Sequence, residues 1–181
     1  MNSLRDDIHG FEHVKRVYNV ALYIGKKSNA NLLILKIAAL LHDIGRVQER
    51  KEPKPINHAE LSAQKALKFL EDLEIDINVE DLKNIVHSIR AHSFSNGIAP
   101  ETLEAQILSD ADKLDALGAI GLYRMIGFTI KNQGDLSAVI NHLEKKILNL
   151  KDRMHLEISK NIAEERHKIM FEFYKKIKKE L

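Results

Sequence analysis

Apolar residues recur at three- and four-residue intervals along nearly the whole chain, and beyond Gly134 there is neither glycine nor proline to interrupt them. That period is the stripe of an amphipathic helix, and no stretch alternates with a period of two for long enough to form a strand. The spacing predicts a helix over Phe11 to Lys27, with Val14, Val17, Tyr18, Ala21, Leu22 and Ile24 on one side. Leu32 to Leu41 is apolar almost all round and predicts a buried central helix, with Gly45 ending it. His58 to Leu73 and Val79 to Arg90 repeat the amphipathic pattern. Pro100 stands where a further helix should start. Leu136, Ile140, Leu143, Ile147, Leu150 and Met154 then run on at helical spacing, followed by Ile169, Phe173 and Ile177. The expected fold class is all-α, a helical bundle. Residues 46–57, RVQERKEPKPIN, hold two of the three prolines and many charges, and read as a loop. Its two readings are a flap over a site and a solvated connector.

Length and charge narrow the function classes. The 181 residues fit one ordinary domain, expected to span 1–181, with its core over about 9–125 and helices over about 135–180 capping the bundle or forming a homodimer contact. Basic and acidic side chains nearly balance, 28 against 26, so the basic excess of a nucleic-acid binder is missing and no nucleic-acid partner is expected. The absence of cysteine excludes disulfide scaffolds and thiolate metal sites. The polar N-terminus lacks the apolar region of a signal peptide. No apolar run approaches the roughly 18 residues of a membrane span. The expectation is a cytoplasmic protein with no membrane partner.

The nine histidines need sorting. His142, His155 and His167 lie among charges and read as solvated, and His87 reads as structural. His42 and Asp43 differ, because they end the most apolar stretch of the chain, AALLHDIG. Polar groups there must find partners or leave their lost hydration uncompensated. A metal ion is one solution, and a capped helix end with a hydrogen-bonded histidine is the other. Asp110, Asp112 and Asp115 crowd one later segment, DADKLDALGAIG. On a helix Asp110 and Asp112 lie about 200° apart, so they cannot point the same way. Arg16, three residues from His13, shares its helix face. Lys113 follows Asp112, and Arg46 follows HDIG. Each of these cations suits either a phosphate contact or a surface.

Taken together, His13 in HVKRV, His42–Asp43 in LLHDIG and Asp112 in DADKLDALGAIG resemble the HD-domain phosphohydrolase superfamily in order and context. The likeness spans about residues 9–125. It is closest to a subgroup of small stand-alone hydrolases that share the HSF segment at His92. The resemblance implies a bundle built around one divalent metal ion, with His13, His42, Asp43 and Asp112 as ligands. The family's AD-(K/R)-L context favours Asp112, with Asp110 the alternative and Asp110 and Asp115 as carboxylates behind the ligands. Lys113 has a counterpart that contacts phosphate in nucleotide-cleaving relatives, and Arg16 and Arg46 are assigned to the same task. His58 and His92 resemble histidines that bind a second ion in two-metal relatives. Substrate or leaving-group contact, with one of them a general acid, is preferred here.

Two imidazoles and two carboxylates suit Mn, Fe, Co, Ni, Zn or Mg in the divalent state. Four protein ligands on an octahedral ion leave two positions, for water and for a phosphoryl oxygen, and Asp43 could orient that water or accept its proton. The expected activity is metal-dependent hydrolysis of a small phosphorylated metabolite, with a nucleotide favoured as NTP or dNTP pyrophosphohydrolase or nucleotidase substrate. The alternatives are a non-catalytic HD-like nucleotide-binding module and a cyclic-dinucleotide phosphodiesterase. The first would be expected to have lost ligand residues, and the second to carry a GYP signature, which is absent.

Overall fold

The computed structural model describes residues 10–46 and 56–181. Among the described residues eight α-helices follow one another and there is no strand: α1 Phe11–Lys27, α2 Leu32–Leu41, α3 His58–Asp72, α4 Val79–Ala91, α5 Leu103–Asp115, α6 Gly118–Lys131, α7 Leu136–Lys145 and α8 Glu157–Lys179. The start signals are side-chain caps. Asn31, Asn57, Asn78, Thr102 and Asp135 each accept from a backbone N–H in the first turn of α2, α3, α4, α5 and α7. Such caps satisfy donors that a helix start leaves unpaired. Most of the loop at 46–57 lies outside the described residues, so neither of its two readings is addressed.

Three expectations change. Pro100 does not open α5; the helix begins at Leu103 behind Thr102, whose hydroxyl accepts from Ala105 N at 3.1 Å. The apolar run after Gly134 is not continuous helix. Between α7 and α8 the chain makes two 3-10 turns, Ile147–Asn149 and Lys151–Arg153. With three residues per turn, they still bury both Ile147 and Leu150. The third change concerns the centre of the bundle. The most apolar helix, α2, exposes Leu33 (53%) and Leu40 (49%). The central helix is α5, which packs against α1, α2, α4, α6 and α8. It buries Glu104, Ser109, Asp110, Lys113 and Asp115 among Ile107, Leu108 and Leu114. Buried polar groups are tolerable when paired. Glu104 shows how: it accepts from Asn31 N at 2.7 Å and Asn84 Nδ2 at 2.9 Å, tying α5 to the start of α2 and to α4.

The hydrophobic core runs through the bundle as one cluster, from Val17, Leu35 and Ile89 to Leu143, Met154 and Met170. No described helix is long and apolar enough to cross a membrane.

Candidate metal centre

Helix ends aim the site histidines. His42 follows the last residue of α2 and His92 the last residue of α4. In each, Nδ1 lies against the carbonyl three residues back, Ala39 O at 2.7 Å and Ile89 O at 2.6 Å. A carbonyl only accepts, so Nδ1 must donate, and one orphan carbonyl of the helix end is satisfied. His13, in the first turn of α1, makes the equivalent bond from Nδ1 to Asp115 Oδ2 at 2.7 Å. With Nδ1 donating, neutral rings carry their lone pairs on Nε2.

These lone pairs converge. His13 Nε2 and His42 Nε2 are 3.3 Å apart. Asp112 Oδ1 is 3.4 Å from His13 Nε2, and Asp43 Oδ2 is 3.5 Å from it and 3.9 Å from His42 Nε2. On the other side of Asp43, Oδ1 faces His58 Nε2 and His92 Nε2, each at 3.7 Å. Asp43 Oδ1 and His92 Nε2 are buried and make no hydrogen bond. Acceptor atoms facing one another away from water repel unless a cation joins them. The donor set, imidazole nitrogen and carboxylate oxygen, is that of a divalent metal site. Two trios place ligand atoms close enough for an ion, His13–His42–Asp112 and His42–Asp43–His92. Asp112 is also the more open ligand, its side chain 24% exposed.

The electrostatics fit that reading. Burial would raise the Asp112 carboxyl, but the His13 hydrogen bond and charge outweigh it and hold Asp112 far below the usual carboxylate range. Asp43 is likewise held low despite burial, by His42, His92 and Arg46. Burial lowers His42 to about 4. Burial also opposes a charge on His13, yet hydrogen bonds to Asp112 and Asp115 raise it overall.

The supporting residues divide in a way the sequence left open. Asp115 receives His13 Nδ1, Arg16 Nε at 2.7 Å, Arg16 Nη2 at 3.1 Å and Arg124 Nη1. Arg16 is thus held on a carboxylate behind His13, a use that the phosphate-contact expectation did not include. Arg46 Nε similarly donates to Asp43 Oδ2 at 2.6 Å. Arg124, a buried cation in α6, was not anticipated; it sits among apolar residues and no motif marks it. The placement of Asp110 behind the ligands is corrected. Its carboxylate turns toward the start of α8 and accepts from His155 N at 2.9 and 3.1 Å and from Leu156 N at 3.0 Å. Two residues further along a helix the side chain points to the opposite side, where Asp112 meets His13.

Lys113 is buried, 8% exposed, and donates from Nζ to Ser109 Oγ at 2.7 Å. Ser109 in turn donates to His92 O at 3.2 Å. Glu60 receives Arg90 Nε at 2.9 Å and Nη2 at 3.0 Å. This pair ties α3 to α4, and with them His58 to His92. Gly45 has a different task from the expected helix stop. A Cβ there would lie 2.6 Å from Ser62 N and 2.8 Å from Leu61 C. Its missing side chain lets the turn carrying His42 and Asp43 lie directly on α3, and Gly45 N donates to Ser62 Oγ at 2.9 Å.

A model of the HD domain family matches residues 10–117. The chain belongs to the HD-domain family. It is therefore a metal-dependent hydrolase of the HD superfamily. The match ends just after α5, so it covers every residue of the convergent site and leaves out α6 to α8. Among similar proteins is YpgQ of Bacillus subtilis, 32% identical over 96% of this chain and 84% of its own length. A crystal structure of YpgQ in complex with ADP superposes on this HD protein with a TM-score of 0.74, at 30% identity, covering 96% of this chain and 87% of that one. An HD-superfamily hydrolase from Bacillus thuringiensis has a TM-score of 0.71 at 30% identity, over 93% of this chain and 84% of that one.

Proposed function

We propose that this HD hydrolase cleaves a phosphate ester or anhydride of a nucleotide, with one divalent cation held by His13, His42, Asp43 and Asp112. The observation that carries the reading is the convergence of lone-pair atoms from these four residues, with Nδ1 of both histidines already committed to acceptors. When bound, a divalent cation supplies Lewis acidity, stabilising hydroxide near neutral pH and offsetting charge on a phosphoryl group. The nucleotide follows from a likeness: the structurally similar YpgQ is known in complex with ADP.

The chain's own groups divide the work around that centre. Asp43 Oδ1 stands between His58 and His92 with no hydrogen bond of its own, suited to orient the attacking water and accept its proton. His58 and His92, whose Nε2 atoms both face Asp43, are assigned the protonation of the leaving oxygen. Lys113 brings a buried positive charge beside Asp112, where a phosphate needs one. Arg16 and Arg46 act through Asp115 and Asp43, keeping the ligand carboxylates and His13 in place. The trio His42–Asp43–His92 supports a second use of His92, as a ligand.

The test is a panel of NTPs, dNTPs, nucleoside monophosphates and alarmones assayed with protein loaded in turn with each candidate metal. Products are analysed for phosphate against pyrophosphate in ¹⁸O-labelled water. Label entering a phosphoryl product is expected. If no phosphorylated compound turns over with any metal, the binding-module alternative replaces this reading.

A further inference from the structure

A cavity of about 500 Å³ lies on the side of α5 that carries Ser109 and Lys113, and it reaches Ala91, the residue before His92. Phe94, Ile98 and Pro100, from the segment between α4 and α5, form an apolar wall. Lys113, Arg153 and His155 form a basic one. None of the described lining residues is acidic. Asp110 lies next to Lys113 at 3.7 Å, but its oxygens already accept from His155 N and Leu156 N. The Arg153 guanidinium carbon lies over the Phe94 ring, 4.3 Å from its centroid.

A concave apolar wall facing the Lys113 ammonium and the Arg153 guanidinium fits a ligand with a flat apolar body and an anionic end. The volume is within the range of about 300–1,000 Å³ usual for small-molecule sites. Its placement orients such a ligand. Lys113 lies at the inner end, next to the metal-ligand candidate Asp112, and Phe94 and Arg153 lie farther out. We propose that this cavity takes the nucleoside part of the substrate, with Lys113 on the phosphate chain, the base against Phe94, Ile98 and Pro100, and Arg153 as a lid over the ring. This rests on the nucleotide reading above. Arg153 and His155 lie beyond the residues matched by the HD model, in the turn that Asp110 ties to α5. The base then meets a wall from the shared domain, Phe94, Ile98 and Pro100, and a cover, Arg153, from the segment after α7.

The test measures equilibrium binding, so it does not depend on turnover. Metal-loaded wild type, Ile98→Trp, which narrows the cavity, and Arg153→Ser, an exposed change that removes the guanidinium from the Phe94 ring, are titrated with ADP and with inorganic pyrophosphate. Circular dichroism and metal content confirm that each variant is folded and loaded. ADP affinity should fall at least tenfold in Ile98→Trp and three- to tenfold in Arg153→Ser. Pyrophosphate, which has no nucleoside, should change less than twofold. Unchanged ADP affinity in both variants, equal losses for ADP and pyrophosphate, or a wild type that does not bind ADP would each overturn the assignment. The hydrolase reading is judged separately, by turnover of any phosphorylated compound in the wild type.

Discussion

Asp115 Oδ2 sits 2.7 Å behind the imidazole of His13, across 102 residues of sequence, while Arg16 and Arg124 grip the same carboxylate. The arrangement fixes which nitrogen of His13 carries the proton and therefore which one faces the other ligand atoms. Carboxylates behind metal-binding histidines typically contribute about 10- to 100-fold in metal affinity. Asp115→Asn should weaken divalent-metal affinity within that range while the helical circular dichroism survives. Arg124→Gln should weaken it less, because Arg16 remains on Asp115. Wild-type affinity in Asp115→Asn, read by calorimetric titration, would show that His13 needs no support.

Asp112 and Asp110 should separate cleanly. Asp112→Asn removes a carboxylate that meets His13 at 3.4 Å and should lose most of the metal with little loss of stability. Asp110→Ala should keep the metal. It leaves His155 N and Leu156 N without their acceptor and should cost about 1.5–3 kcal/mol in urea unfolding, the range for bonds to a charged group. The reverse pattern would mean that the two carboxylates have been assigned the wrong way round.

Gly45→Ala should destabilise the fold by about 1–3 kcal/mol, since a methyl group would be forced onto the backbone of Leu61 and Ser62. The same displacement moves His42 and Asp43 relative to His58, so metal affinity should fall with melting temperature. A variant that melts like wild type would show that the turn relaxes freely.

The metal-free protein should have a stability maximum bounded by two histidines. His42 is lowered to about 4, so between pH 6.5 and 4 the unfolded chain binds a proton that the folded one refuses. Stability is lost as pH falls through that window, by about 3 kcal/mol at full extent. His13 is raised, so its contribution is complete below pH 6.5 and is lost as pH rises through the folded value. His42→Gln should flatten the acid limb and His13→Gln the alkaline limb of unfolding free energy against pH. Limbs unaffected by either substitution would assign the titration to other groups.

The helical class was legible in the sequence because apolar spacing is a local property. The bounds of α1 and α2 agree with it, and those of α3 and α4 agree to within a residue. The central helix was not legible. α2 is the more apolar, yet α5 is the more enclosed, because Glu104, Ser109, Asp110 and Asp115 each find a partner 17 to 102 residues away. The break between α7 and α8 carries no glycine or proline, and a 3-10 turn preserves three-residue spacing, so periodicity passes through it unmarked.

Within the site, the sequence by itself determined the residue types, their order, and the fact that Asp110 and Asp112 point to opposite sides of one helix. Helix geometry requires the last of these. Tertiary structure decided which side faces His13, and that Arg16 serves a carboxylate behind it. It also brought Arg124 to that carboxylate and placed Arg153 and His155 beside Lys113. Those outcomes depend on how α1, α5, α6 and α8 pack. Packing is set by the summed burial of many side chains far apart in the chain, which no local pattern encodes.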